Sequence, residues 1–186
     1  MSIDIERRAA SVAAEGTIIR GLAIPFGSLS EDLGGFREVF EASAVDRTLT
    51  EQIDVRALVD HDSAKIIGRV RAGTMTLRKA SDGLHVAITV PDTSVGRDVL
   101  TLVSRGDVSG MSIGFRVMAG GERFERRDGQ PVRIISDARI VETSIVTFPA
   151  YQATDASVAR RALRAYQGQQ GRSIVWLRAR IAIPVA

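Results

Sequence analysis

Three side chains in this sequence have the types needed for base-assisted nucleophilic chemistry: Ser112, His61 and Glu142. Ser112 lies in SGMSIGF, residues 109–115. With the period of two of a strand, Met111, Ile113 and Phe115 share one face, and Ser112 and Gly114 share the other. A serine nucleophile needs a rigid support and room for a substrate backbone, and flanking glycines supply that room. The plainer reading is a serine in a strand without a task, with Gly114 marking a bulge or close packing. His61 follows the strand-like DVRALVD, between Asp60 and Asp62. Strand ends often carry catalytic groups, but a lone histidine beside acids is also a common structural residue. Glu142 interrupts the apolar run ARIVETSIVTF, 138–148, and by alternation shares a face with Ile140, Ser144 and Val146. A carboxylate there is costly unless paired. Its partner is either an arginine, Arg139 or Arg116, or a histidine whose imidazolium it orients as the third member of a triad. The second histidine, His85, sits in LHVAITV on the face opposite Leu84, Val86, Ile88 and Val90, and is expected to point to solvent.

Other chemistries lack their residues. The chain has no cysteine, which removes disulfides, thiolate catalysis and cysteine metal sites. Two histidines without ligand spacing do not make a metal centre. There is no Walker A loop and no dinucleotide fingerprint, so no cofactor is expected. No uncharged apolar run approaches the roughly 18 residues of a membrane span, and the start, MSIDIERRAASVAAEG, does not read as a signal peptide. The net charge of +3 divides unevenly: residues 160–186 hold six arginines and no acid, which leaves 19 basic and 22 acidic residues in 1–159. A basic tail on a mildly acidic domain is not a nucleic-acid footprint for the whole chain, and aromatic residues, 5% of the total, form no stacking platform.

The elements that must position these residues are mostly strands. GTIIRGLAIPF (16–26), FREVF, DVRALVD (54–60), KIIGRVRAG, TMTLRKA, LHVAITV, SGMSIGF and 138–148 read as strands, with turns at SDG (81–83) and RRDGQP. EASAVDRTLTEQ (41–52) reads as a helix with Ser43 as N-cap. DTSVGRDVLTLVSRG (92–106) reads as a helix capped by Thr93 or Ser94, striped by Val99, Leu102 and Val103, and ended by Gly106. ATDASVARRALRAY (153–166) reads as a terminal helix, followed by the flexible QGQQG and an unplaced apolar, basic end. Runs of strands with short turns predict a mainly β (α+β) fold, an antiparallel sheet closed or nearly closed into a barrel with a few helices outside. The predicted organisation is an N-terminal segment (1–15), a barrel domain (16–159) and a basic tail (160–186).

Several ordered segments resemble the prohead, or capsid maturation, proteases of tailed bacteriophages, the HK97-like family also found in prophages and gene-transfer agents. They are IIRGLAIPFGSLSEDLGGFREVFEASAVDRTL, ALVDHDSAKIIGRV, LHVAITVPDTSVGRDVLTLVSRGDVSGMSIGFRV and ARIVETSIVTFPAYQATDASV. EASAV stands where the family usually has glycine-alanine-phenylalanine. The resemblance implies a serine endopeptidase with a barrel similar to the herpesvirus assemblin proteases. It assigns Ser112 as nucleophile, His61 as general base and Glu142 as the third member. The herpesvirus enzymes use a second histidine in that third place, which leaves His85 as the alternative. It further implies capsid and scaffold segments as substrates, self-cleavage, self-association and action inside the assembling prohead in the bacterial cytoplasm. The basic tail becomes a docking or self-cleaved segment. The competing expectation is a noncatalytic assembly protein that keeps the barrel.

Overall fold

The computed structural model describes the backbone of residues 6–147 and 161–168, with side chains from residue 11 onward. Chain order runs β1 (Glu6–Glu15), β2 (Ile18–Pro25), β3 (Arg37–Phe40), a 3-10 turn (Ala42–Val45), α1 (Asp46–Thr50), β4 (Arg56–Val59), β5 (Asp62–Arg69), β6 (Met75–Lys79) and β7 (Gly83–Thr89). It continues with α2 (Ser94–Arg105), β8 (Gly110–Val117), β9 (Glu122–Arg127), β10 (Gln130–Ile135) and β11 (Ala138–Val146). The mainly β, barrel-like architecture expected from the sequence is what forms.

The large sheet has the order β5-β4-β11-β8-β1-β2-β7-β6. Its two outermost strands, β5 and β6, are consecutive in the chain, so one short turn brings the edges together and nearly closes the barrel. Gly68 marks the approach: a Cβ there would lie 2.8 Å from Ile88 Cγ2 on β7. Inside the barrel, Met111, Ile113 and Phe115 of β8 are fully buried with Ile19, Leu84 and Ile88. Phe115 meets Phe40 edge to face, with centroids 5.1 Å apart.

Two pairings are parallel rather than antiparallel, β4 with β11 and β3 with β10. The second joins β3, β10 and β9 into a small separate sheet. There Arg133, fully buried, donates to Glu38 at 2.9 Å and to Glu122 at 2.5 Å, which pairs a charge that burial would otherwise penalise heavily.

α2 starts and stops as its residues dictate. Thr93 Oγ1 accepts from the Gly96 amide at 3.1 Å, and Gly106 takes the left-handed conformation at φ 80°. Val99 and Val103 face the core, whereas Leu102, expected in the same stripe, is 40% exposed. The expected 41–52 helix is shorter. It splits into the 3-10 turn and α1, and Ser43 donates its hydroxyl to the Ser136 carbonyl instead of capping. Residues 6–15, read as a segment ahead of the domain, form a strand between β8 and β2.

Of the expected terminal helix, 161–168 is helical, and Leu163 and Tyr166 pack on Leu33, Phe36 and Phe124. Tyr166 stacks on Phe124 with centroids 5.2 Å apart. Residues 148–160 and 169–186 lie outside the described residues, and with them QGQQG from residue 169 onward and the final apolar stretch. No helix among the described residues is long and apolar enough to cross a membrane.

One ion pair predicts acid behaviour. Asp54, at the entry to β4, accepts from Arg69 Nε at 2.8 Å and from the Arg71 amide at 3.1 Å. The Arg69 guanidinium above all, opposed by partial desolvation and helped by the Arg71 amide, holds the carboxyl at about 2. A depressed carboxyl stabilises the fold above its unfolded value of 3.8, and the contribution fades as pH falls toward 2. Asp54→Asn is therefore expected to lower the melting temperature at pH 6, with the difference from wild type shrinking as melts are repeated down through that window.

Candidate active site

The His61 side chain is carried by a two-residue turn. Val59 of β4 pairs with Asp62 of β5, so Asp60 and His61 alone connect the two strands. Both have positive φ, 48° and 60°, as in the tight hairpin turns whose central positions favour glycine or asparagine. Left-handed backbone costs an ordinary residue about 1 kcal/mol or more, so two such residues in a row are held by their surroundings. The Asp60 amide donates to the Ile145 carbonyl at 2.9 Å, and its carboxylate accepts from the Thr147 amide at 2.9 Å and the Thr147 hydroxyl at 3.3 Å. The sequence hides this turn because neither residue is glycine. The reading from composition ends one strand at Asp60 and starts the next only at Lys65.

The bend places His61 against β11. His61 Nδ1 lies 2.7 Å from Glu142 Oε1, with the two residues 81 positions apart in the chain. Glu142 Oε2 accepts from the Ser144 hydroxyl at 2.6 Å. Simple alternation put Ile140 and Glu142 on one face, and the structure corrects this. The register slips between them: Ile140 pairs with Phe115 and Glu142 with Gly114, which leaves Val141 as the extra residue of a bulge. Ile140 therefore joins the fully buried core side, and Glu142 turns to the opposite face, where a histidine rather than Arg139 or Arg116 meets it. Bulges commonly re-aim a side chain in this way. Ser144 is the partner that the sequence reading missed. Its spacing of two from Glu142 was visible, but which face the pair occupied depended on the bulge.

Gly114 has a specific task. A Cβ there would sit 2.5 Å from Glu142 Oε1 and 3.0 Å from its Cδ. The cleared space beside Ser112 is filled by the Glu142 carboxylate, whereas the sequence suggested room for a substrate. The carboxylate cannot easily retreat, because His61 and Ser144 hold both its oxygens. Gly114→Ala is expected to expel Glu142 from His61. The fold should lose roughly 1–3 kcal/mol, the range typical of overpacking, as read by chemical denaturation.

Ser112 lies on the same face. It pairs in register with Ser144 of β11 on one side and with Ala9 of β1 on the other. The residue is fully buried, and its hydroxyl has no hydrogen-bond partner among the described residues. An unpartnered buried hydroxyl is unusual in a native core and calls for an explanation. The structure thus joins His61 and Glu142 directly and sets Ser112 on the neighbouring strand, without a Ser112–His61 hydrogen bond. His85 is elsewhere. It lies on β7, bonded through Nε2 to Asp82 at 2.9 Å. The described residues contain no group of three or more His, Cys, Asp or Glu suited to a metal ion.

With Nδ1 engaged by a carboxylate, the imidazole has Nε2 left to accept a proton. A serine hydroxyl nearby would then meet a base already held in one tautomer.

Comparison with known proteins agrees with this architecture. Curated protein sequences return no match. Among solved structures, the chain resembles the capsid assembly protease of bacteriophage T4, with a TM-score of 0.55 at 8% identity, over 77% of this chain and 97% of that one. That likeness speaks for the fold alone. Residues 3–169 match the family described as caudovirus prohead serine protease. With nearly the whole chain covered, this protein belongs to the caudovirus prohead serine protease family.

Proposed function

We propose that the chain is an endopeptidase that trims capsid and scaffold segments in an assembling prohead, with Ser112 as nucleophile, His61 as general base and Glu142 as the orienting acid. The observation that carries the assignment is the 2.7 Å contact between His61 Nδ1 and Glu142, beside a strand whose serine hydroxyl is unpartnered among the described residues. In this reading His61 Nε2 takes the Ser112 proton as Oγ attacks a peptide carbonyl. The resulting imidazolium is steadied by Glu142 and returns the proton to the departing amine, which leaves an acyl-enzyme. Water then attacks the ester by the same route in reverse and frees Ser112. Because Ser112 is buried, a polypeptide reaches it only after the surroundings of β8 open. This fits an enzyme that stays quiet until it is packed with its substrate. The basic tail, 160–186, is a candidate for docking or self-cleavage.

The test is intact-mass analysis of the protein and its capsid protein, co-expressed as wild type and as Ser112→Ala. Trimming of the capsid protein in the wild-type sample alone is expected, and the masses give the cut sites. Untrimmed masses in both samples, with shells assembled, would favour a noncatalytic assembly role.

A further inference from the structure

We infer that Asp60 is a positioning residue for the His61 imidazole, acting by clamping the β4–β5 turn to the end of β11; the inference rests on the catalytic reading above. Glu142, the group that His61 meets, and Ile145 belong to β11, and Thr147 follows at its end. Three hydrogen bonds tie Asp60 to that stretch: its amide to the Ile145 carbonyl, and its two carboxylate oxygens to the Thr147 amide and hydroxyl. The turn and the carboxylate it serves are therefore referenced to one length of backbone.

The choice of residue supports this. At φ 48°, glycine would fit position 60 without strain, and aspartate accepts the strain while placing an exposed carboxylate on Thr147. The Asp60 side chain touches neither His61 nor Ser112 among its hydrogen-bond partners, so its influence on the imidazole passes through the backbone of the turn. A turn with two left-handed residues and no clamp would rock about its strand ends. His61 Nδ1 would then leave the 2.7 Å separation from Glu142 Oε1 for part of the time.

The experiment uses the full chain in a His85→Gln background, so that His61 is the one imidazole left of two. Asp60→Gly removes the carboxylate while relieving the backbone, and so separates clamping from folding. Asp60→Asn keeps a carbonyl acceptor for the Thr147 amide and tolerates the left-handed conformation. The first readout is the downfield Nδ1 proton resonance of His61. The second, taken on the chain assembled into shells with its capsid protein so that Ser112 is in its working state, is the rate at which a fluorophosphonate labels Ser112, followed by mass. Asp60→Gly is expected to broaden or abolish the resonance and to slow labelling roughly 10- to 100-fold, and Asp60→Asn to restore both to within about threefold. If Asp60→Gly melts lower but keeps the wild-type resonance, the clamp is structural only and the inference fails. If wild-type protein labels no faster than Ser112→Ala, the catalytic reading fails, and the resonance still decides whether Asp60 orders His61.

Discussion

Ser112→Ala is expected to melt at a higher temperature than wild type while cutting nothing. The Ser112 hydroxyl is buried without a hydrogen-bond partner among the described residues, between Ser144 and Ala9 in the sheet register. A buried donor left unmade costs about 1–3 kcal/mol, and alanine removes the hydroxyl while keeping the Cβ that fills the site. In a domain of this size each kcal/mol recovered moves the midpoint by roughly 2–4 °C. The same substitution deletes the atom that would attack the peptide carbonyl, so the capsid protein and the basic tail should keep their full masses. The two results together discriminate more than either alone. A serine present only for packing would be replaced with no effect on trimming. A serine hydrogen-bonded in the native state would be replaced with a loss of stability. Activity lost and stability gained is the pattern of a group kept for chemistry at the expense of the fold. Thermal melting beside intact mass gives both answers from one preparation.

Glu142→Gln should lower the trimming rate by roughly 10,000-fold with the fold intact, the loss seen when the acid of a serine protease triad becomes an amide. Glutamine keeps the length and branching of glutamate, so the space left by Gly114 still accommodates it, and its carbonyl can still accept from Ser144. What changes is the group facing His61 Nδ1, now 2.7 Å from a carboxylate oxygen. If the amide nitrogen occupies that place, Nδ1 must accept, and Nε2 becomes protonated and useless as a base. If the amide oxygen occupies it, the tautomer survives but the negative charge that steadies an imidazolium is gone. Initial rates on purified capsid protein, with circular dichroism as the folding control, check this. A rate within about threefold of wild type would remove Glu142 from the mechanism, since a triad acid cannot be neutralised so cheaply.

What could be read in the sequence followed the strength of local signals. α2 was legible because its cap, apolar stripe and terminal glycine lie within one stretch, although Leu102 shows that a stripe does not fix the buried face by itself. β8 and β11 were legible as alternating or continuous apolar runs. β1 was not, because ERRAASVAAE lacks alternation and has a single β-branched residue, Val12, and it becomes a strand by pairing on both sides with β8 and β2. The parallel partnerships of β4 and β3 were invisible, since they join segments far apart in the chain. At the site, His61, Ser112 and Glu142 could be named from residue type and family resemblance. The Ile140–Glu142 bulge, the Asp60–His61 turn and the fit of Gly114 to the Glu142 carboxylate could not. Each depends on register between strands, which no single strand's sequence contains.

The pairing of β4 with β11 also sets a schedule for synthesis. His61 leaves the ribosome 81 residues before Glu142, an interval of roughly 4–16 s at translation rates of about 5–20 residues per second. Ser112 emerges between them, on a strand whose neighbours are β1, among the earliest described residues to appear, and β11, the last described strand. A nascent chain therefore carries His61, and later Ser112, for seconds before the strand that supplies Glu142 exists. Contacts of such high sequence separation slow folding, because loop closure must come before any stabilisation. The same delay means that a chain released before β11 is made has His61 without the carboxylate it faces. The topology thus builds in a check that only a polypeptide extended through β11 can assemble the candidate site.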